Sequence, residues 1–254
     1  MAHFYLGLNT SLLGEFAQAL AALGQAQTIG DTIANPRLQS LTAWVTGWIY
    51  ATQGEWETGL ALCQRGLELS PDPLNTAGAL GYQGSAYLEQ GDAAQAIPLL
   101  EQSIQHWQQF RFPQLQGWFT ALLGEAWLRC DNVAKGQTLA RQGLAMTQEV
   151  QFAYGIGVAQ RVLGRAAQAN GACAEAETSF YAALRTFTAM SARFEVGRTH
   201  LALADLAYAQ EHRAVAAQHL HDAHRLFVAL QVPRWVEQTA QRARAFGVGL
   251  AEGS

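Results

Sequence analysis

Trp44 and Trp48 stand four residues apart, and so do Arg161 and Arg165. On a helix that spacing puts each pair on one face. Two neighbouring indoles are either a partner's anchor, if exposed, or packing between helices, if buried. Two neighbouring guanidinium groups can clamp a carboxylate or phosphate through forked N–H donors. His212, His219, His221 and His224 crowd one stretch with Asp222. His221 and His224 are a turn apart, a spacing open to a surface metal, although a solvated helix face explains it more simply. Cys63, Cys130 and Cys173 lie too far apart for metal-ligand spacing, and three cannot all pair. Cys63 reads as a small apolar filler. No Ser/His/Asp or Cys/His set points to a nucleophile. Carboxylates such as Glu55 and Asp92 suit helix N-termini. These residues favour binding over catalysis, with no cofactor and no metal called for.

The bulk numbers agree. Half of the 254 residues are apolar, enough for a large core. The net charge of −4 offers no electrostatic case for nucleic acid. Basic charge is almost all arginine, Lys135 being the only lysine. The longest apolar stretch, about 41–51, is too short to span a bilayer. No basic segment followed by an apolar run marks a signal peptide. With unpaired cysteines, this reads as a cytoplasmic protein.

The elements that must position these side chains emerge from an internal repeat. Gly7, Gly47, Gly84, Gly124, Gly164 and Ala204 recur at steps of 40, 37, 40, 40 and 40 residues. Seven residues after each come Gly14, Gly54, Gly91, Asp131, Gly171 and Glu211. Twelve residues after each come Ala19, Gly59, Ala96, Gly136, Ala176 and Ala216, all small. Eleven residues before the anchor stand Pro36, Pro73 and Pro113, with Pro233 opening a partial seventh unit. Proline fits the first helical turn, and glycine fits the left-handed C-terminal position. Each unit is therefore a helix of about seventeen residues, a short turn and a second helix. The apolar residues follow three- and four-residue steps. The expected units cover 1–32, 33–72, 73–112, 113–152, 153–192 and 193–232. A capping helix over 233–246 and a loose tail over 248–254 complete a single solenoid.

These markers resemble the tetratricopeptide repeat, most closely in Leu80, Gly84, Tyr87, Gly91, Ala96, Leu100 and Ser103, with Tyr50 and Pro71 in the preceding unit. At 40 residues the unit is longer than the ordinary one of about 34. The long form is similar to the sensor solenoids of bacterial signal-transducing ATPases and maltose-activator-like regulators. The stretch from Ala192 to Gln238 is particularly similar to the end of such arrays. No GxxxxGK[ST] loop and no DNA-reading helix-turn-helix accompanies it. The resemblance implies an all-α, right-handed α-α superhelix of about six hairpins.

It also implies a concave groove lined by the first helices. Mapped onto this chain, the groove takes Phe4, Leu8, Trp44 and Trp48 from the first two units. Tyr82, Trp118 and Glu125 follow, then Arg161, Arg165, Arg198, Asp205 and Tyr208. Its N-terminal half would be aromatic and the other half charged. Glu125, Arg165 and Asp205 share one repeat position, which favours an ion-pair ladder for Arg165 and leaves Arg161 as the ligand candidate. Trp44 and Trp48 are read either as groove anchors or as core between helices.

The expected function is a protein- or peptide-binding scaffold in a bacterial signalling or transcription-regulatory system. An anionic small-molecule sensor and a homo-oligomerisation module are the alternatives. The first helix looks incomplete and apolar, as if a domain preceded it or the face paired in a homodimer.

Overall fold

Proline opens four helices of this chain, and a left-handed residue ends each hairpin turn. The computed structural model describes residues 1–250, so residues 251–254 of the expected tail lie outside the described residues. Six antiparallel hairpins follow one another. They are α1 (Ala2–Leu13) with α2 (Phe16–Thr32), α3 (Pro36–Gln53) with α4 (Trp56–Glu68), and α5 (Pro73–Gln90) with α6 (Ala93–Gln109). Then come α7 (Pro113–Arg129) with α8 (Val133–Glu149), α9 (Ala153–Ala169) with α10 (Cys173–Ala189), and α11 (Arg193–Ala209) with α12 (Arg213–Ala229). A lone α13 (Pro233–Phe246) closes the array. Among the described residues there is no strand, and no helix is long and apolar enough to cross a membrane.

The sequence markers act where the helices start, stop and cross. Pro36, Pro73, Pro113 and Pro233 occupy first-turn positions, where a missing N–H costs nothing. Asp72 caps α5 by accepting from the backbone N–H groups of Leu74 and Asn75, each at 3.0 Å. At the crossing of α3 and α4, a Cβ on Gly47 would lie 2.5 Å from the Gly59 carbonyl oxygen. The same intimacy brings Gly124 against the Gly136 carbonyl and Gly84 against Leu100 and the Ala96 carbonyl. Any side chain there would wedge two backbones apart.

Not every left-handed position has a glycine. Asp131, Gln151, Ser191 and Glu211 all hold φ between 53° and 59° or at 61°. An L side chain there costs roughly 1–2 kcal/mol, while glycine costs up to about 1 kcal/mol in chain entropy. Gln151 is exposed and bonds only through its backbone N–H to the Gln148 carbonyl. Gln151→Gly is therefore expected to stabilise the protein by a few tenths to about 1 kcal/mol, read from urea unfolding midpoints.

The array curls until its end meets its beginning. The Trp235 indole N–H on α13 donates to the Thr52 carbonyl oxygen of α3 at 2.8 Å. The Arg234 guanidinium lies 3.6 Å above the Trp56 ring. Phe194 of α11 packs edge-on to Phe16 of α2, with ring centroids 5.1 Å apart, and Arg193 approaches Glu15 at 3.7 Å. The odd-numbered helices thus form an inner layer that is closed rather than an open trough. Phe16 and Phe194 are removed from water by this closure.

Candidate functional site

The inner layer has an aromatic half and a charged half, and closure treats them differently. Phe4, Trp44, Tyr82, Trp118 and Tyr154 follow one another at centroid distances of 4.4 to 6.2 Å, mostly edge to face, and Phe187 of α10 backs the last of them at 6.0 Å. Trp48 touches both Tyr82 and Trp118. Phe4, Trp44, Trp48, Tyr82 and Trp118 are each 5% exposed or less. Leu8 is half-buried against the same cluster. Of the two readings of Trp44 and Trp48, packing between helices is the one their burial supports, and the exposed aromatic groove is corrected: rings of successive first helices cover one another, Trp44 against Phe4 and Tyr82, Trp48 against Tyr82 and Trp118. At the other end Tyr208 stacks on Phe246 of α13 at 3.8 Å, so it too is engaged within the fold.

The charged half is a network rather than a row of free ligands. Arg161 is almost fully buried and pairs with Glu195 of α11. The Tyr154 hydroxyl donates to the same carboxylate at 3.1 Å, and Arg198 reaches it at 3.4 Å. Arg198 also pairs with Glu89 of α5 at 2.8 Å, tying α11 to a helix on the far side of the ring. Arg161 is therefore committed to an ion pair and is not the free ligand group expected. Glu125 pairs with Arg165, one repeat on, and with Arg129 at 2.9 Å. The expected ladder exists at that rung and stops there. Asp205 turns instead to Arg242 of α13 at 3.3 Å, because the arrival of α13 puts that guanidinium nearer.

Burial opposes the ionised form of Glu125, but Arg165, Arg129 and Arg161 outweigh it and hold the carboxyl down at about 2. Glu195 is likewise held below its usual range: burial works against it, and Arg161 and Arg198 overcome that. In the unfolded chain both carboxyls take up protons near the ordinary glutamate value, before the folded state does. Their stabilising effect is present above about pH 4.5 and is lost as pH falls, for Glu125 toward about 2. Denaturant titrations are expected to lose a few kcal/mol of stability over that interval, with a flatter profile for Glu125→Gln.

A polar cavity of about 220 Å³ lies where the C-terminal turns of α5, α7 and α9 meet the middle of α11 and one face of α13. Arg129, Arg165, Arg198 and Arg242 line it with Glu89 and Asp205. Part of this positive charge answers the partial negative charge of helix C-termini. Arg129, for example, donates to the Leu88 carbonyl. The Nε of Arg198 is buried without a partner. Glu89, Arg129 and Arg242 were not among the residues the repeat register picked out. Their signal was available only as a charge near the end of each first helix.

A second cluster lies on the last hairpin. The Nδ1 atoms of His200 on α11 and His219 on α12 are 3.0 Å apart. Burial, then the neighbouring His219, pushes His200 down to about 4, and burial lowers His219 as well. His221, by contrast, is exposed. Cys63 is fully buried against the Trp44 carbonyl, and burial pushes its thiol up, as befits a core filler.

No protein-family model matches the sequence, and no curated protein matches it. Solved structures do match its shape. BtubC from P. vanneervenii aligns at a TM-score of 0.58 with 13% identity, over 84% of this chain and 91% of that one. A Rap protein complexed with competence and sporulation factor aligns at 0.59 with 14% identity, over 94% and 82%. A signal transduction ATPase with numerous domains, carrying a tetratricopeptide repeat sensor, comes from Pyrococcus horikoshii. It aligns at 0.60 with 15% identity over 88% of this chain, which spans 33% of that larger protein. This chain has the tetratricopeptide-like fold. At these identities the likeness establishes that fold and leaves the function to the site. In this tetratricopeptide-like solenoid the inner surface is already occupied by its own aromatic side chains. The arginine-lined mouth is a concave feature open to another molecule.

Proposed function

We propose that the chain is a protein- or peptide-binding regulatory scaffold, acting by recognition rather than catalysis, within a bacterial signalling or transcription-regulatory system. Its binding element is the mouth lined by Arg129, Arg165, Arg198 and Arg242, which takes an acidic group of the partner. The observation that carries this reading is the unpartnered Nε of Arg198, buried at a mouth that it lines with three other arginines and two acids. A buried donor without a partner is costly, and a carboxylate of a bound chain would satisfy it. Free thiols at Cys63, Cys130 and Cys173 support a cytoplasmic setting.

The test is a pull-down from the source cell's lysate with wild-type protein and an Arg165→Gln/Arg242→Gln variant of equal helicity. A protein held by wild type and lost by the variant supports the reading. Equal capture by both contradicts the site. The cavity volume also favours a second reading, a small anionic ligand at the same mouth. Thermal shift with citrate and phosphate distinguishes it, since a ligand raises Tm with its concentration relative to Kd. Met1, Tyr5, Leu6, Ile29 and Ile33 are exposed on α1, its N-cap and the α2 end, which supports a homodimer through the N-terminal face. Light scattering at high concentration reads that directly.

A further inference from the structure

We propose that His200, His219 and Asp222 form a binding site for a divalent transition-metal ion of the zinc class. Their potential ligand atoms, one from each residue, all lie within 4.8 Å of one another. His219 and Asp222 are three residues apart on α12 and so share a face. His200 comes from the facing helix of the same hairpin. Two imidazole nitrogens around zinc, each at about 2.0–2.1 Å with tetrahedral angles, stand about 3.3 Å apart. The observed 3.0 Å needs only a small ring rotation to reach that.

The internal repeat sharpens the case, because the same three positions can be read in every other full hairpin from the second onward. The pair matching His200 and His219 is Ala43/Leu62, Leu80/Leu99, Thr120/Leu139 and Gln160/Ser179. The position matching Asp222 is Arg65, Gln102, Gln142 and Ala182. Three metal-ligating side chains therefore replace apolar or neutral packing residues, and one cationic residue, together in one hairpin. A helix-facing position that is elsewhere satisfied by leucine has no packing need for a histidine.

The surroundings suit a cation. Both rings are half-buried or buried, and burial favours their neutral, lone-pair-bearing form. Asp222 is oriented by Gln218, which donates at 3.1 Å, and by Arg225, which donates at 2.8 Å. Such outer partners fix a ligating carboxylate's geometry. Glu177 of α10 adds negative charge facing His219. Two imidazoles with one carboxylate suit zinc and its borderline neighbours rather than calcium or magnesium, which require oxygen ligands. Three protein ligands leave a fourth position to water or to a partner's side chain. A bound ion would clamp α11 to α12, and α11 carries Phe194 and Arg198, two of the side chains that close the ring.

The alternative is a simple hydrogen bond between two neutral imidazoles, which would bind no metal. Calorimetric titration of EDTA-treated, dialysed full chain with zinc chloride decides between them. The same protein titrated with cobalt(II) reports coordination geometry through its visible absorption. The expected result is one zinc per chain, a rise in Tm, and a four-coordinate cobalt spectrum. His200→Ala and His219→Gln should each weaken zinc at least tenfold, Asp222→Asn about tenfold, and His221→Ala/His224→Ala not at all. Circular dichroism checks that each variant is folded. His200 is only half-buried, so His200→Ala stands alone as the test if His219→Gln does not fold. No saturable uptake by wild type overturns the site. So does uptake unchanged by His200→Ala, or uptake lost with His221 and His224.

Discussion

Glu195→Ala is expected to cost about 3–5 kcal/mol, enough to unfold a large share of the protein at moderate temperature. The carboxylate is about 2% exposed, and it receives Arg161, Arg198 and the Tyr154 hydroxyl. Its removal leaves the Arg161 guanidinium about 4% exposed with its ion-pair partner gone. Arg198 suffers less, because Glu89 still pairs with it at 2.8 Å. The loss thus reflects a stranded charge more than a broken bond. Removing both charges, as in Arg161→Met/Glu195→Leu, should therefore recover most of the stability. A double-mutant cycle in urea measures this as a coupling of 1 kcal/mol or more. Additive single effects would mean that Arg161 and Glu195 do not share a buried environment.

Trp118→Ala is expected to cost about 3–5 kcal/mol as well, for a different reason. Its ring is about 2% exposed and stands among Trp48, Tyr82, Phe119, Phe152 and Tyr154. Truncation leaves a void that five rigid aromatic rings cannot collapse into. On an open concave surface the same substitution would change stability by about 0.5 kcal/mol or less. Thermal or urea unfolding of this one variant thus discriminates a filled inner face from a free one. Trp44→Ala should behave similarly, since Gly78 gives its ring a seat on α5, where a Cβ would come within 3.0 Å.

The helices were legible because their signals are local. Pro36 and Gly54 start and stop α3 through backbone preferences that need no distant partner. The hairpin crossings were legible because Gly47 and Gly59 are both small at a fixed separation. Closure was not, because curvature accumulates from every crossing in turn. The contact that completes it, Trp235 to Thr52, spans 183 residues. Trp44 and Trp48, by contrast, are covered by Phe4, Tyr82 and Trp118 of the neighbouring first helices, whose side-chain directions the repeat register alone does not give.

The charged site divides on the same principle. Glu125 and Arg165 sit in one repeat register, and parallel helices bring register neighbours together. Arg161 and Glu195 are out of register, and their pairing needs the particular offset between α9 and α11. Asp205 looked like the next rung and is diverted by α13, a helix with no hairpin partner. The histidine pair combines residues from two helix faces, whereas the sequence draws the eye to His221 and His224, which share one helix. Composition cannot rank those possibilities; the hairpin crossing does.

Small-angle X-ray scattering on the monomer tests the closed inner face most directly. A compact chain of 254 residues has a radius of gyration of about 18 Å. Closure predicts a value near that, with a pair-distance distribution free of an extended tail. It also predicts that Trp235→Ala, which removes the contact to Thr52, shifts the distribution outward. A wild-type radius several ångströms larger, unchanged in Trp235→Ala, would describe an open solenoid and contradict the closure of the ring.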